Sequence, residues 1–336
     1  MKPTPTYVPI LHWKKGEQEA LEELSQEIKN NIIPLIEITP DFNEANLNRT
    51  LQCWNNRYFY FYVLPECYGN DEGVYFRILR QLNPNYVIPV LVLDDTLDII
   101  TQASNLSNTG IALRITPHDI QNLRNSLANI LNLLDSDNID LIFDLGYIEN
   151  NNLSNQNNIL ESLFSSIPNI NSFRNIIVSS SSFPESLSSI RRNTLEVIPR
   201  LEWRLFREYI SNLESRFNIE IVYSDYCTSN PNYVDYKAFM KPSFNIRYTI
   251  NEEYLILKGE LWENGGADRR NISRLCNMLV SSGYFMGQDF SWGDNYIFTR
   301  STNNATRYGN LTTWKKVGVN HHITFVVSQL ELDNLI

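Results

Sequence analysis

Short apolar runs alternate with amphipathic segments through the first two-thirds of the chain. Residues 7–13 read as a strand, and Ala20, Leu21, Leu24 and Ile28 then recur at helical spacing over 17–28. Further runs at 33–39 (stopped by Pro40), 58–64, 87–93, 111–116, 139–145, 175–179 and 219–223 predict seven more strands. Helices are expected at 75–82, between the fourth and fifth strands, at 118–134 with Leu123, Leu127, Ile130 and Leu134 as its buried stripe, at 159–167 and at 202–213. The strand runs are nearly continuous in Ile, Val, Leu and Phe, the pattern of parallel strands covered on both faces. About eight strand–helix repeats in series predict an α/β fold, a (β/α)8 TIM-like barrel. No glycine-rich turn of the dinucleotide-binding kind follows any run, which weighs against an open doubly wound sheet.

After Asp225 the rhythm changes. Runs at 244–250 and 254–258 predict a hairpin turning at 251–253, 272–280 predicts a helix, and 296–299 and 323–327 predict strands. The expected organisation is a barrel over 1–229 and a C-terminal antiparallel α+β extension over 230–336 packed on it. The asparagine-rich 150–158 reads as a solvated loop entering a helix.

Composition narrows the function classes. A formal net charge of -10 argues against a surface devoted to phosphate backbones, so nucleic acid is a disfavoured partner unless Lys241, Arg247, Lys315 and Lys316 line one groove. Cys53, Cys67, Cys227 and Cys276 stand far apart with no CxxC pair, which predicts neither a disulfide framework nor a cysteine-built zinc site. The first residues lack a signal-peptide pattern, and no apolar stretch approaches the roughly 20 residues that span a bilayer. A cytoplasmic protein without a membrane partner is expected.

The informative residues are charges set late in apolar runs. Glu37 lies between Ile36 and Ile38, Arg114 between Leu113 and Ile115, and Asp144 between Phe143 and Leu145. A lone buried charge costs several kcal/mol, so opposite charges from separate strands are expected to meet at the C-terminal barrel end, where sites form. The cluster reads either as an active site or as an ion network closing the barrel top. As a site, Glu37 and Asp144 suit acid–base work or a divalent metal, and Arg114 suits an anionic group. Lys14, Arg200, Asp225 and Trp314 are further candidates for substrate binding, and His321 for catalysis. Glu17, Asp94, Asp95, Tyr226, Glu202 and Trp203 are weaker. Ser179–Ser182 lacks a nucleophile elbow. Read as part of a strand, His321 and His322 point to opposite faces and cannot share one metal ion. With only His12 and His118 besides, no metal-ligand set is assigned and the cofactor is left open.

Several stretches carry a resemblance: YVPILHWKKGEQEAL from Tyr7, IPLIEITP from Ile33, IPRLEW from Ile198, IRYT from Ile246, FSWGDNYI from Phe290 and TTWKKVGVNHHIT from Thr312. The chain resembles the phage and bacterial beta protein family. The resemblance adds weight to Lys14, Gly16, Glu17, Glu37, Arg200, Trp292, Asp294, Trp314, His321 and His322 as family-pattern residues. It implies residence in phages, mobile elements and their hosts, and a part in phage–host conflict. Two functions are expected to compete. One is a barrel hydrolase acting on a phosphoester or nucleotide-like anionic small molecule. The other is a non-catalytic sensor that contacts a protein partner through Trp292, Tyr296 and Trp314.

Overall fold

The computed structural model describes residues 4–68, 73–149, 153–233, 242–262, 268–302 and 307–332. Its first part is strand–helix repeats: β1 (Tyr7–His12), α1 (Lys15–Glu22), α2 (Gln26–Asn31), β2 (Leu35–Ile38), α3 (Leu47–Thr50), β3 (Phe59–Val63), α4 (Val74–Leu79), β4 (Val87–Val92) and α5 (Leu97–Asn105). The series continues through β5 (Ile111–Ile115), α6 (Leu123–Leu131), β6 (Ile139–Tyr147), α7 (Leu153–Ser165), β7 (Asn175–Ser181), β8 (Leu195–Pro199), α8 (Leu201–Phe217) and β9 (Ile221–Asp225). Strands β1 to β7 and β9 close a parallel barrel, with β9 returning to β1 through Tyr7↔Tyr223 and Pro9↔Asp225. The predicted α/β barrel is therefore present.

Alternation along each strand sorts the side chains. Val8, Ile10, Leu35, Tyr60, Ile88, Val90, Ala112, Ile142 and Ile177 fill the lumen, while Ile36, Phe61, Leu113, Leu141 and Phe143 face the helices. The expected helix over 17–28 is broken in two, because Ser25 caps α2 by accepting from the Ile28 N–H at 3.2 Å. The expected helix over 118–134 is a 3-10 turn, Pro117–Gln121, followed by α6. Residues 150–152 of the asparagine-rich segment lie outside the described residues, and from Leu153 that segment is helix α7, not loop.

The remainder forms β10 (Ser243–Ile250), β11 (Glu253–Leu261), α9 (Arg269–Val280), α10 (Trp292–Arg300) and α11 (Leu311–Leu332). The hairpin is observed, but its sheet runs β10-β11-β8 and takes its third strand from the segment between β7 and α8. The two strands expected at 296–299 and 323–327 are helical, within α10 and α11. Helix α11 is buried on nearly every side, from Trp314 to Leu330. A helix enclosed all round shows no 3.6-residue stripe, and its β-branched run imitates a buried strand. Among the described residues no helix is long and apolar enough to cross a membrane.

The N-terminal barrel end is sealed by a salt bridge. Asp140 Oδ1 accepts from Arg174 Nε (2.7 Å) and Asn175 Nδ2 (2.8 Å), and Oδ2 from Arg174 Nη2 (2.6 Å) and Tyr60 (2.9 Å). Both carboxylate oxygens are therefore saturated, as a buried charge requires.

Candidate active site at the barrel mouth

At the C-terminal end, Glu37 on β2, Arg114 on β5 and Asp144 on β6 share the inward parity of their strands and meet. Arg114 Nη1 donates to Glu37 Oε1 at 2.7 Å, while Nε and Nη2 donate to Asp144 Oδ2 at 2.9 and 2.5 Å. Tyr226, just after β9, donates to the same Asp144 oxygen at 2.6 Å, and the Gly146 N–H reaches Oδ1 at 2.9 Å. The Tyr62 ring from β3 lies 4.9 Å from the guanidinium carbon. Burial pushes the Glu37 carboxyl up, but the Arg114 charge and His12 outweigh it and hold it below the usual carboxylate range. Burial raises the Tyr226 phenol well above its ordinary value, keeping it a donor.

His12 ends β1 on the same inward face. Its Nε2 lies 3.1 Å from Glu37 Oε2 as an ion pair. Among the described residues neither atom meets a further polar partner, and the Ser179 hydroxyl oxygen on β7 has no hydrogen-bond partner. Asp144 and Ser179 are register neighbours, so the unsatisfied atoms border the charged cluster. Lys14 stands at the rim, with Nζ 3.3 Å from Asp41 and 4.7 Å from the centre of the Tyr233 ring, and that ring packs edge-on against His12.

The guanidinium occupies the space between the two carboxylates. A divalent ion shared by Glu37 and Asp144 at the roughly 2.0–2.6 Å such ions require would displace it, so these residues do not fit a shared metal. Arg114 is likewise neutralised by its two carboxylates. It positions them, and an external anion would meet Lys14 before it.

The other candidates lie elsewhere. Asp225 has outward parity and is fully buried under α11, where Tyr7 (2.5 Å), Tyr223 (2.9 Å), the Cys227 N–H (2.9 Å) and His322 (3.0 Å) all donate to it. Burial pushes the Asp225 carboxyl up, but His322, Arg200 and Tyr7 reverse this and hold it at about 2. Cys227 and His322 approach Asp225 closely enough for a metal, but donors already occupy both carboxylate oxygens. Asp225, held ionised, can only accept, so His322 Nε2 carries the proton, which leaves Nδ1 of the neutral ring to accept from the Thr249 hydroxyl. Burial lowers the His322 pKa against the pull of Asp225.

Arg200 is 0% exposed, bonded to the Ile250 and Asn251 carbonyls and to Gln329, and lies over the Trp203 and Tyr254 rings. His321 is sealed between Asp294 and the Thr249 carbonyl, at 2.8 Å from each. Trp314 packs on Phe244 and Tyr296 inside the extension core. None of Arg200, Asp225, His321 and Trp314 reaches the mouth. Of the partner surface expected of Trp292, Tyr296 and Trp314, Tyr296 and Trp314 are buried and meet edge-on in the extension core, while Trp292 stacks on Tyr296 and stays half-buried.

The basic groove is not assembled either. Lys315 faces Glu17, Lys316 faces Glu23, Arg247 donates to the Thr228 carbonyl, and Lys241 lies outside the described residues. Glu202 holds Ser182 and Tyr254, and Asp94 is exposed. His12, Tyr62 and Ser179 are the mouth residues that sequence reasoning missed or set aside. Their signal was parity: each lies an even number of positions from an inward residue of its own strand.

Fold and mouth together define a (β/α)8-barrel protein with a charged, largely buried C-terminal end. A family model described as "Beta protein" matches residues 7–328, and the chain belongs to that family. No curated protein matches it. Among solved structures it is similar to a triosephosphate isomerase from Bartonella henselae, at 10% identity and a TM-score of 0.36, over 65% of this chain and 90% of that one.

Proposed function

We propose that the barrel mouth is the active site of a metal-independent hydrolase acting on a small phosphodiester. The observation that carries this reading is the His12–Glu37 pair: an imidazole 3.1 Å from a buried carboxylate oxygen, beside a guanidinium that fixes the other Glu37 oxygen. A carboxylate held against an imidazole in this way orients the ring and stabilises its protonated form. His12 takes the proton of the attacking water as its oxygen bonds to phosphorus. Glu37, held ionised, stabilises the imidazolium, and the proton then passes to the departing alkoxide. Arg114, Asp144 and Tyr226 are positioning residues.

Charge argues for a diester. Glu37, Arg114 and Asp144 sum to one negative charge, and Lys14 at the rim is balanced by Asp41, so the mouth carries about one negative charge overall. Such a mouth repels a doubly charged monoester more than a diester with a single negative charge. We read such a hydrolase as part of phage–host conflict on the strength of the family resemblance alone.

The test is hydrolysis of bis(4-nitrophenyl) phosphate in EDTA. The native chain should turn it over, and His12→Asn should lose about 10²–10⁴-fold with the circular dichroism spectrum retained. No diester hydrolysis by the native chain, or full activity in His12→Asn, would overturn the proposal. In cells, the same variant should abolish any effect of the chain on phage plating.

A further inference from the structure

Beside the mouth, the ends of β3 and β4 open into a cavity of about 240 Å³ walled by Tyr62, Tyr68, Tyr75 and Phe76, with Asp95 at its edge. Sites that enclose a whole drug-sized ligand start near ~300 Å³, so this one has room for a single ring system. Its walls are fixed: the Tyr75 hydroxyl donates to the Val90 carbonyl at 3.2 Å, and the Tyr75 and Phe76 rings meet edge-on at 5.3 Å. Tyr62 belongs to cavity and mouth alike. It is the register partner of Glu37, and its ring faces Arg114.

Asp95 gives the cavity a directional group. Its Oδ2 accepts the Val92 N–H at 2.8 Å, which ties the carboxylate to the end of β4. The carboxylate lines the same cavity as Tyr62, Tyr68 and Tyr75, whose phenols burial raises and so keeps neutral. An acceptor among aromatic faces selects a flat ring bearing an N–H. A hydrocarbon ring would strip water from the carboxylate and return no hydrogen bond.

We propose that this cavity is a base subsite, which takes the planar nitrogenous ring of a nucleotide whose phosphodiester lies at the mouth. The ring stacks among the tyrosines and donates an N–H to Asp95. The assignment rests on the reading of the mouth as a phosphodiester site, and it makes the substrate a nucleotide ester.

Calorimetric titration of the full chain tests it, using the 5′-(methyl phosphate) esters of adenosine, guanosine, cytidine and uridine, ribose 5-(methyl phosphate), and the four free nucleosides. At least one nucleoside ester should bind about tenfold more tightly than the ribose ester, the scale of stacking one base on aromatic rings. Asp95→Ala should remove most of that preference. Because it also frees the Val92 N–H, Tyr68→Leu is the second variant, and it too should shrink the ratio. Equal affinity for ribose and nucleoside esters, or a ratio untouched by both variants, overturns the base subsite. If a free nucleoside binds in an Asp95-dependent manner while no ester is cleaved, the subsite stands and the hydrolase reading falls.

Discussion

The barrel carries an aspartate–arginine–tyrosine cluster at each end, and the two behave differently. At the N-terminal end, Asp140, Arg174 and Tyr60 satisfy one another, with Asn175 completing the set. At the C-terminal end, Asp144, Arg114 and Tyr226 repeat the chemistry, but among the described residues Glu37 Oε2 and His12 Nε2 meet only each other and the Ser179 hydroxyl meets no partner. Composition does not separate the two ends. Saturation does: a fully satisfied buried charge closes a structure, whereas a buried polar group short of partners lowers stability by about 1–3 kcal/mol, a cost offset where a ligand supplies the partner.

Mutations sharpen that contrast. The largest effect expected is on turnover: Glu37→Gln should lower diester hydrolysis about 10²–10⁴-fold, since the amide cannot stabilise a charged His12. Asp140→Ala should instead act on folding. It leaves Arg174 buried and unpaired, and urea titration should register a loss of about 3–5 kcal/mol. If Glu37→Gln destabilised the fold as much as Asp140→Ala, the distinction between the two ends would collapse.

A smaller effect comes from His322. Its folded pKa lies below the unfolded value near 6.5, so the folded state binds fewer protons below that pH. Its contribution is present above about pH 6.5 and is lost as pH falls, by at most about 1.4 kcal/mol per unit. Stability curves between pH 7 and 5 should show this slope, and His322→Gln should flatten it. The smallest change is Ser179→Ala, which deletes an unpartnered hydroxyl and should raise stability by up to about 1 kcal/mol. A loss of more than that would mean the hydroxyl is bonded in solution.

The barrel strands were legible because both their faces are covered, which writes unbroken apolar runs into the sequence. The meeting of Glu37, Arg114 and Asp144 followed from the same runs, since none had a solvent face on which to leave a charge. Asp225 also ends a strand run, between Ser224 and Tyr226, but one position out of phase with those lumen residues. Neighbour composition cannot register a phase difference, whereas counting from an inward residue can. Helix α11 was illegible for a related reason: complete enclosure erases the amphipathic signal that marks a helix, leaving 323–327 looking like a strand. The Tyr62–Asp95 cavity joins two strand ends and two helices, and no spacing within the chain announces it.

Strand β8 carries one more consequence. It leaves the barrel between β7 and α8, pairs with β11 from Leu195↔Leu257 to Pro199↔Glu253, and the chain then returns to complete β9. A recombination breakpoint just past β9 would hand one descendant a strand without its sheet and the other a sheet missing an edge. Lineages of this fold should therefore pass the two sheets on as a single heritable unit, with tolerated exchanges confined to the loops that cross neither seam.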